Sequence, residues 1–127
     1  MNPERRRRAA EARGRRAETL AALWLGLKLY RVLDRRVRTP RGELDLVARR
    51  GGLLVFIEVK QRPSGREAVE AVTPRQQARI AAAAEVWAAR RGLDRLDRRF
   101  DVITVSPGRL PHHMRDAFRP DFALTRG

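Results

Sequence analysis

The sequence predicts an α/β fold: a mixed β-sheet flanked by helices. Three observations predict it. Hydrophobic periodicity switches from helical to alternating and back, giving the order helix, three strands, helix, strand. The run Leu53-Leu54-Val55-Phe56-Ile57 is apolar on both faces of a strand and so belongs at the centre of a sheet covered on both sides. Each of the two long helical patterns carries one apolar face with which to cover it.

The elements follow in order. Residues 1–13 form a basic N-terminal arm, and residues 14–127 a single domain. Seven arginines and two glutamates fall within residues 1–16, a composition that suits a frayed arm or an exposed first helical turn. A helix is expected from about Ala12 to Leu27, with Ala17, Leu20, Ala21, Trp24 and Leu27 on its buried face. Gly26 weakens its end. Tyr30, Val32 and Val37 mark a first strand over 31–38, and Thr39-Pro40-Arg41-Gly42 a turn. Glu43 to Ala48 alternates as a second strand, Arg49-Arg50-Gly51-Gly52 turns, and Leu53 to Lys60 is the third. Arg62-Pro63-Ser64-Gly65 breaks the pattern, and residues 64–73 read as a loop with a helical turn. Thr73-Pro74 starts a helix that runs to about Arg91, burying Ile80, Ala83, Ala84 and Trp87, with Gly92 as its cap. Arg99 to Val105 is a further strand, ended by Ser106-Pro107-Gly108. No element is assigned to the tail, 109–127.

Chemistry concentrates on the second and third strands. Glu58 and Lys60 are two residues apart, so they share a strand face about 7 Å apart. The tight turn makes the two strands a hairpin, which can bring Asp45 alongside Glu58. Two carboxylates about 4 Å apart repel by roughly 4 kcal/mol at an effective dielectric near 20, so they need a cation or a raised pKa. A hard divalent ion such as Mg²⁺ suits one or two carboxylates plus waters and a phosphate oxygen. It can activate a water, and a neighbouring lysine can hold that water or stabilise charge on phosphorus. The lysine is notable in a chain with 27 arginines and only 2 lysines. A compact ammonium differs from a guanidinium fork in geometry and in the tunability of its pKa. A structural cross-strand ion pair is the alternative reading.

These residues also carry a resemblance. Gly14 and Glu18, Gly42-Glu43-Leu44-Asp45-Leu46-Val47-Ala48, Leu54-Val55-Phe56-Ile57-Glu58-Val59-Lys60, Ala71-Val72-Thr73, Arg99-Phe100-Asp101-Val102 and His113…Ala117-Phe118 resemble the YraN family of small bacterial proteins, over roughly residues 14–118. That family is similar to the PD-(D/E)XK nuclease superfamily, which includes Holliday junction resolvases and restriction enzymes. The resemblance implies a restriction endonuclease-like mixed sheet flanked by helices and a Mg²⁺-dependent (or Mn²⁺-dependent) nuclease site. It implies that Asp45 and Glu58 bind the metal, that Lys60 assists the water, and that Glu18 supplies an extra acid. Three positions depart from the pattern: Leu44 precedes Asp45 where the superfamily has proline, Leu29 precedes Tyr30 where relatives often have glycine, and Arg75-Gln76-Gln77 stands where relatives often have lysine.

The remaining polar residues have plainer readings beside functional ones. Glu18 is alternatively a solvated helix residue paired with Arg15, Glu43 an exposed strand end, and Asp101 an arginine partner. His112 and His113 read as having no metal-binding or acid–base role, and Trp24 and Trp87 read as core. Gln76 and Gln77 read as exposed helix residues, with contact to nucleic acid as the functional reading of Gln76.

Charge and composition bound the function. The 127 residues carry a formal net charge of +14, which points to a polyanionic partner, most often nucleic acid, and the resemblance makes DNA the expected one. Arg36, Arg38, Arg41 and Arg62 are the arginines nearest the proposed site and the expected phosphate contacts. With no cysteine, disulfide scaffolds and thiol catalysis are excluded. No run is long enough for a membrane-spanning helix and no signal-peptide pattern is present, so a cytoplasmic location is expected. The expected function is Mg²⁺-dependent hydrolysis of DNA phosphodiesters, with a non-catalytic nucleic-acid-binding module of the same fold as the alternative. A homodimer is compatible with either.

Overall fold

A computed structural model describes residues 2–62 and 72–120. The elements are α1 (Pro3–Leu27), β1 (Arg31–Thr39), β2 (Gly42–Arg50), β3 (Leu53–Gln61), α2 (Pro74–Arg90), β4 (Asp97–Val105) and β5 (His112–Phe118). The five strands form one mixed sheet in sequential order. β1, β2 and β3 form an antiparallel meander, β4 lies parallel to β3, and β5 is antiparallel to β4. The architecture is the expected α/β one and is consistent with a restriction endonuclease-like fold.

β3 organises the sheet. Leu54, Val55, Phe56 and Ile57 are all buried, and their alternation sends them to two separate cores. Leu54 and Phe56 pack with Val47, Phe100 and the α2 face of Ile80, Ala84 and Trp87. Val55 and Ile57 pack on the other side with Ala21 and Leu25 of α1, Leu46 and Ile103. Small residues on both helices, Ala21 and Ala84 among them, let the backbones approach the sheet closely. Trp87 Nε1 donates to Asp34 Oδ2 at 3.0 Å, and Arg91 reaches the same oxygen, tying α2 to β1.

α1 ends at Leu27 as expected but differs at its start and on its buried face. It begins at Pro3, nine residues before Ala12: Asn2 Oδ1 accepts the Arg5 amide and Pro3 pre-sets the first turn. Its buried face is Ala17, Ala21 and Leu25, whereas Leu20 and Leu27 are exposed and Trp24 is half-buried. Lys28 sits 4.9 Å over the Trp24 ring.

Both helices close in the same way. In α2 the Gly92 amide reaches Ala89 O and the Leu93 amide reaches Ala88 O, with Gly92 at φ 68°. In α1 the Leu29 amide reaches Gly26 O and the Tyr30 amide reaches Leu25 O. This is the Schellman pattern, which wants a left-handed residue at the turn. In α1 that residue is Leu29 at φ 70°, which gives a physical reason for glycine at this position.

The tail contributes β5, which periodicity had not assigned. A buried polar network fastens it. Asp101, fully buried, accepts from Arg99 Nε at 2.9 Å and the Asp116 amide at 2.9 Å, and meets His113 Nε2 at 2.7 Å. Arg99 also donates to Tyr30 Oη at 2.7 Å. Burial alone would push the Asp101 carboxyl up, but these hydrogen bonds outweigh it and hold it below its ordinary value. Asp101 is thus the expected arginine partner, and it is also the acid that His113 meets. The expected loop at 64–73 lies largely outside the described residues, as do residues 121–127.

Leu29→Gly is expected to stabilise the fold by roughly 0.5–1 kcal/mol. The left-handed strain it relieves, about 1–2 kcal/mol, exceeds the added unfolded-state entropy. The Leu29 side chain is 80% exposed, so little burial is lost. Urea denaturation of the two proteins measures the difference; an unchanged or lower midpoint would contradict it.

Candidate functional site

The site forms where two strands part company. β2 and β3 pair from Arg50↔Leu53 to Leu46↔Ile57, and the ladder stops there. Asp45 and Glu58, the next residues on each side, carry carboxyls instead of continuing the ladder. Asp45 Oδ2 accepts the Val59 amide at 2.8 Å, so a side-chain oxygen replaces a strand carbonyl. β3 remains paired with β4 as far as Gln61↔Val105, so the opening lies on the β2 side alone. Beyond it, the tip of the β1–β2 hairpin diverges from β3 towards α2.

Gly42 sets how closely α2 meets that tip. A Cβ at Gly42 would fall 2.8 Å from the main-chain oxygen of Arg79. Glycine therefore lets α2 lie against the hairpin. Between them is a cleft of about 660 Å³, lined by Asp45, Glu58, Glu43, Arg38, Arg41 and Arg79 with the first turns of α2. Thr73 and Gln76 form a capping box at the start of α2: Thr73 Oγ1 accepts the Gln76 amide and Gln76 Oε1 accepts the Thr73 amide. Gln77 Nε2 donates to Val72 O.

The electrostatics centre on the acidic pair. Asp45 and Glu58 lie within hydrogen-bonding reach of each other. Burial, then repulsion from Asp45, pushes the Glu58 carboxyl up to about 7. Burial also raises Asp45, against the Val59 amide and Lys60, which favour its charged form. The pair thus holds a shared proton towards neutral pH. Lys60 Nζ lies 3.6 Å from Glu58 Oε1, and both side chains are about four-fifths buried (20% and 19% exposed).

The other expected residues divide. Glu18 lies on α1 with its side chain 13% exposed, 3.5 Å from Arg36 Nε, and its Oε1 makes no hydrogen bond. Burial, then repulsion from Asp45, raises its pKa. Its ion-pair partner is Arg36, not Arg15. Arg36 stands opposite Asp45 in the β1–β2 register, between the Arg35↔Leu46 and Val37↔Leu44 pairs, and adopts φ 50°. A small recess of about 90 Å³ joins Glu18, Arg36 and Asp45. Arg38 and Arg41 rim the larger cleft, Arg38 Nε lying 3.7 Å from an exposed Glu43. Gln76 lines it too, with its Oε1 committed to the helix cap. Arg62 lies elsewhere, in a groove beside α1. Arg79 was not foreseen, although it follows Gln76 by three residues and so shares its helix face. Among the described residues no three His, Cys, Asp or Glu side chains gather closely enough to hold a metal ion. The acidic centre is a pair, with Glu18 to one side.

Comparison with known proteins places this geometry in a family. The model of Uncharacterised protein family UPF0102 matches residues 17–105, which span α1 to β4 and include Glu18, Asp45, Glu58 and Lys60. The chain belongs to the UPF0102 family. A UPF0102 protein of Maricaulis maris is 56% identical over 117 residues, covering 91% of this chain and 92% of its own length. UPF0102 proteins of Agrobacterium fabrum and Paramagnetospirillum magneticum are 53% and 48% identical, covering 89% and 94% of this chain. The UPF0102 match therefore takes in both helices, both strands of the acidic hairpin and the parallel strand beside it.

Glu58→Gln tests the electrostatics without reference to activity. The unfolded chain loses the Glu58 proton near pH 4.5, whereas the folded chain keeps it to about 7. Stability contributed by this proton is therefore full below pH 4.5 and is lost as pH rises through 7. Glutamine has no such proton to lose. In EDTA, the variant's stability relative to the parent is expected to grow by roughly 1–3 kcal/mol between pH 5 and pH 8. A difference that does not change with pH would contradict the raised pKa.

Proposed function

We propose that this UPF0102 protein is a metal-dependent nuclease of the PD-(D/E)XK type, acting on DNA. The observation that carries the proposal is the interrupted hairpin, which sets Asp45 and Glu58 together, with Lys60 beside them, in a cleft rimmed by Arg38, Arg41 and Arg79. The resemblance to the YraN family and its nuclease relatives supports the same reading. A structural ion pair alone does not account for a second buried carboxylate within reach of the first, since that arrangement costs free energy unless a cation or proton intervenes.

The donor set fits the implied metal. Mg²⁺ is satisfied by one or two carboxylates together with waters and a phosphate oxygen, and Asp45 and Glu58 would hold it. Bound there, it would supply an acidified water and neutralise charge developing on the phosphate. The chain's own groups do the rest. Lys60 Nζ donates hydrogen bonds to the attacking water or to a non-bridging phosphate oxygen. Arg38, Arg41 and Arg79 hold flanking phosphates and so fix the scissile bond over the carboxylates. Glu18, reached through Asp45, positions the pair by its charge and by anchoring Arg36.

Purified protein is expected to cleave branched or linear DNA in the presence of Mg²⁺ or Mn²⁺. Asp45→Asn, Glu58→Gln and Lys60→Ala should each lower the rate about 10²–10⁴-fold while leaving the fold intact by circular dichroism. No cleavage by the parent protein, or undiminished cleavage by these variants, would refute the proposal. Salt-sensitive, metal-independent binding without cleavage would instead identify a binding module that retains the fold.

A further inference from the structure

On the α1 side of the sheet, a second groove of about 950 Å³ runs between α1 and the segment that follows β4. Its basic wall is Arg13, Arg16, Arg62 and Arg109, and its apolar lining includes Leu20 and Leu110. Neither leucine packs into the core: Leu20 is 48% exposed and Leu110 76%. No acidic side chain lines the groove among the described residues. Gln61, also in the lining, directly follows Lys60 on β3, so the groove and the proposed reaction centre share the end of β3 but lie on opposite faces of the sheet.

We infer that this groove binds an unpaired strand of nucleic acid, its phosphates against the arginines and its bases against the apolar floor. The inference rests on the nuclease reading for the direction of the strand, and extends it to a substrate that carries a single-stranded arm. Charge complementarity selects a polyanion, because the groove has four arginines and no acid. The apolar floor then selects among polyanions. A duplex presents only phosphates and sugars outside its grooves, and exposed leucines add nothing to such contacts. Unpaired bases present apolar faces; single-strand sites combine a basic track with a platform for those faces, typically aromatic, and here Leu20 and Leu110 supply the apolar contact. This floor is aliphatic, so contact with the bases is sequence-tolerant. α1 extends the track: residues 3–16 carry seven arginines and two glutamates, and its first turns stand clear of the core.

The test is a binding measurement on the full chain in EDTA, where no cleavage can occur. Fluorescence anisotropy would compare labelled oligothymidylate and oligouridylate of about 20 nucleotides with a blunt DNA duplex. Leu20→Gln/Leu110→Gln changes no charge and touches only exposed positions, so its thermal midpoint should match the parent's. It is expected to weaken binding of the single strands about tenfold and binding of the duplex less than about twofold. Loss confined to one of the two single strands also supports the inference and says which of the two the floor accepts. Unchanged single-strand binding, or an equal loss on the duplex, overturns the inference. So does a variant that loses affinity only for an acidic, leucine-containing peptide, which would make the groove a protein-docking site. Absence of cleavage by the parent protein would refute the nuclease reading without altering these binding results.

Discussion

Everything in this molecule is arranged around a strand that must be dry on both sides. From Leu54 to Ile57, β3 is buried on each face, so it needs helices above and below and neighbours on both edges. α1 and α2 are the two covers, and the crossover through α2 is what makes β4 parallel to β3. The unbroken apolar run ends at Ile57, and the next two residues on the face of Phe56 are Glu58 and Lys60. The same strand that builds the core therefore delivers polar groups to its edge with little freedom to move. Glu58 and Lys60 inherit their direction from Phe56, on the face covered by α2.

A second constraint follows from the first. At Leu46↔Ile57 the β2–β3 ladder ends, and Asp45 satisfies the Val59 amide with its carboxylate. That hydrogen bond fixes Asp45 against Glu58 and keeps the opening between strands from becoming an unsatisfied backbone edge. Burial, and then repulsion from Asp45, disfavours charge there, which is why Glu58 keeps its proton to about 7. A +14 chain has ample arginine to neutralise such a pair, yet Arg36, which stands opposite Asp45 in the register, is ion-paired with Glu18 from a backbone at φ 50°. The pair is left to a lysine on one side and to the cleft on the other.

Much of this was legible in the sequence because it depends on periodicity. The all-apolar run of β3, the alternation of β2 and the Thr73-Pro74 start of α2 each specify an element locally, and strand alternation alone puts Glu58 and Lys60 on one face. The hairpin turn at Gly51-Gly52 was enough to bring Asp45 alongside. What could not be read depends on partners distant in sequence. The buried face of α1 is centred on Ala17, Ala21 and Leu25 because small residues allow the helix to approach the sheet, whereas periodicity favoured the larger Leu20 and Leu27. β5 has no clean alternation, and the His113–Asp101 contact that secures it spans twelve residues. Arg36's turn towards Glu18 follows from an unusual backbone angle, and Arg79 from the close approach that Gly42 permits. The early start of α1 rests on the Asn2 cap and Pro3, which the arginine-rich composition of the arm masks.

The central claim is that Asp45 and Glu58 are held together to receive a divalent cation. The most direct measurement is a crystal structure grown with Mn²⁺, with anomalous scattering collected at the manganese edge. One anomalous peak in contact with both carboxylates is expected, with Lys60 Nζ remaining beside Glu58. A gap without manganese, filled instead by the Arg36 guanidinium, would contradict it.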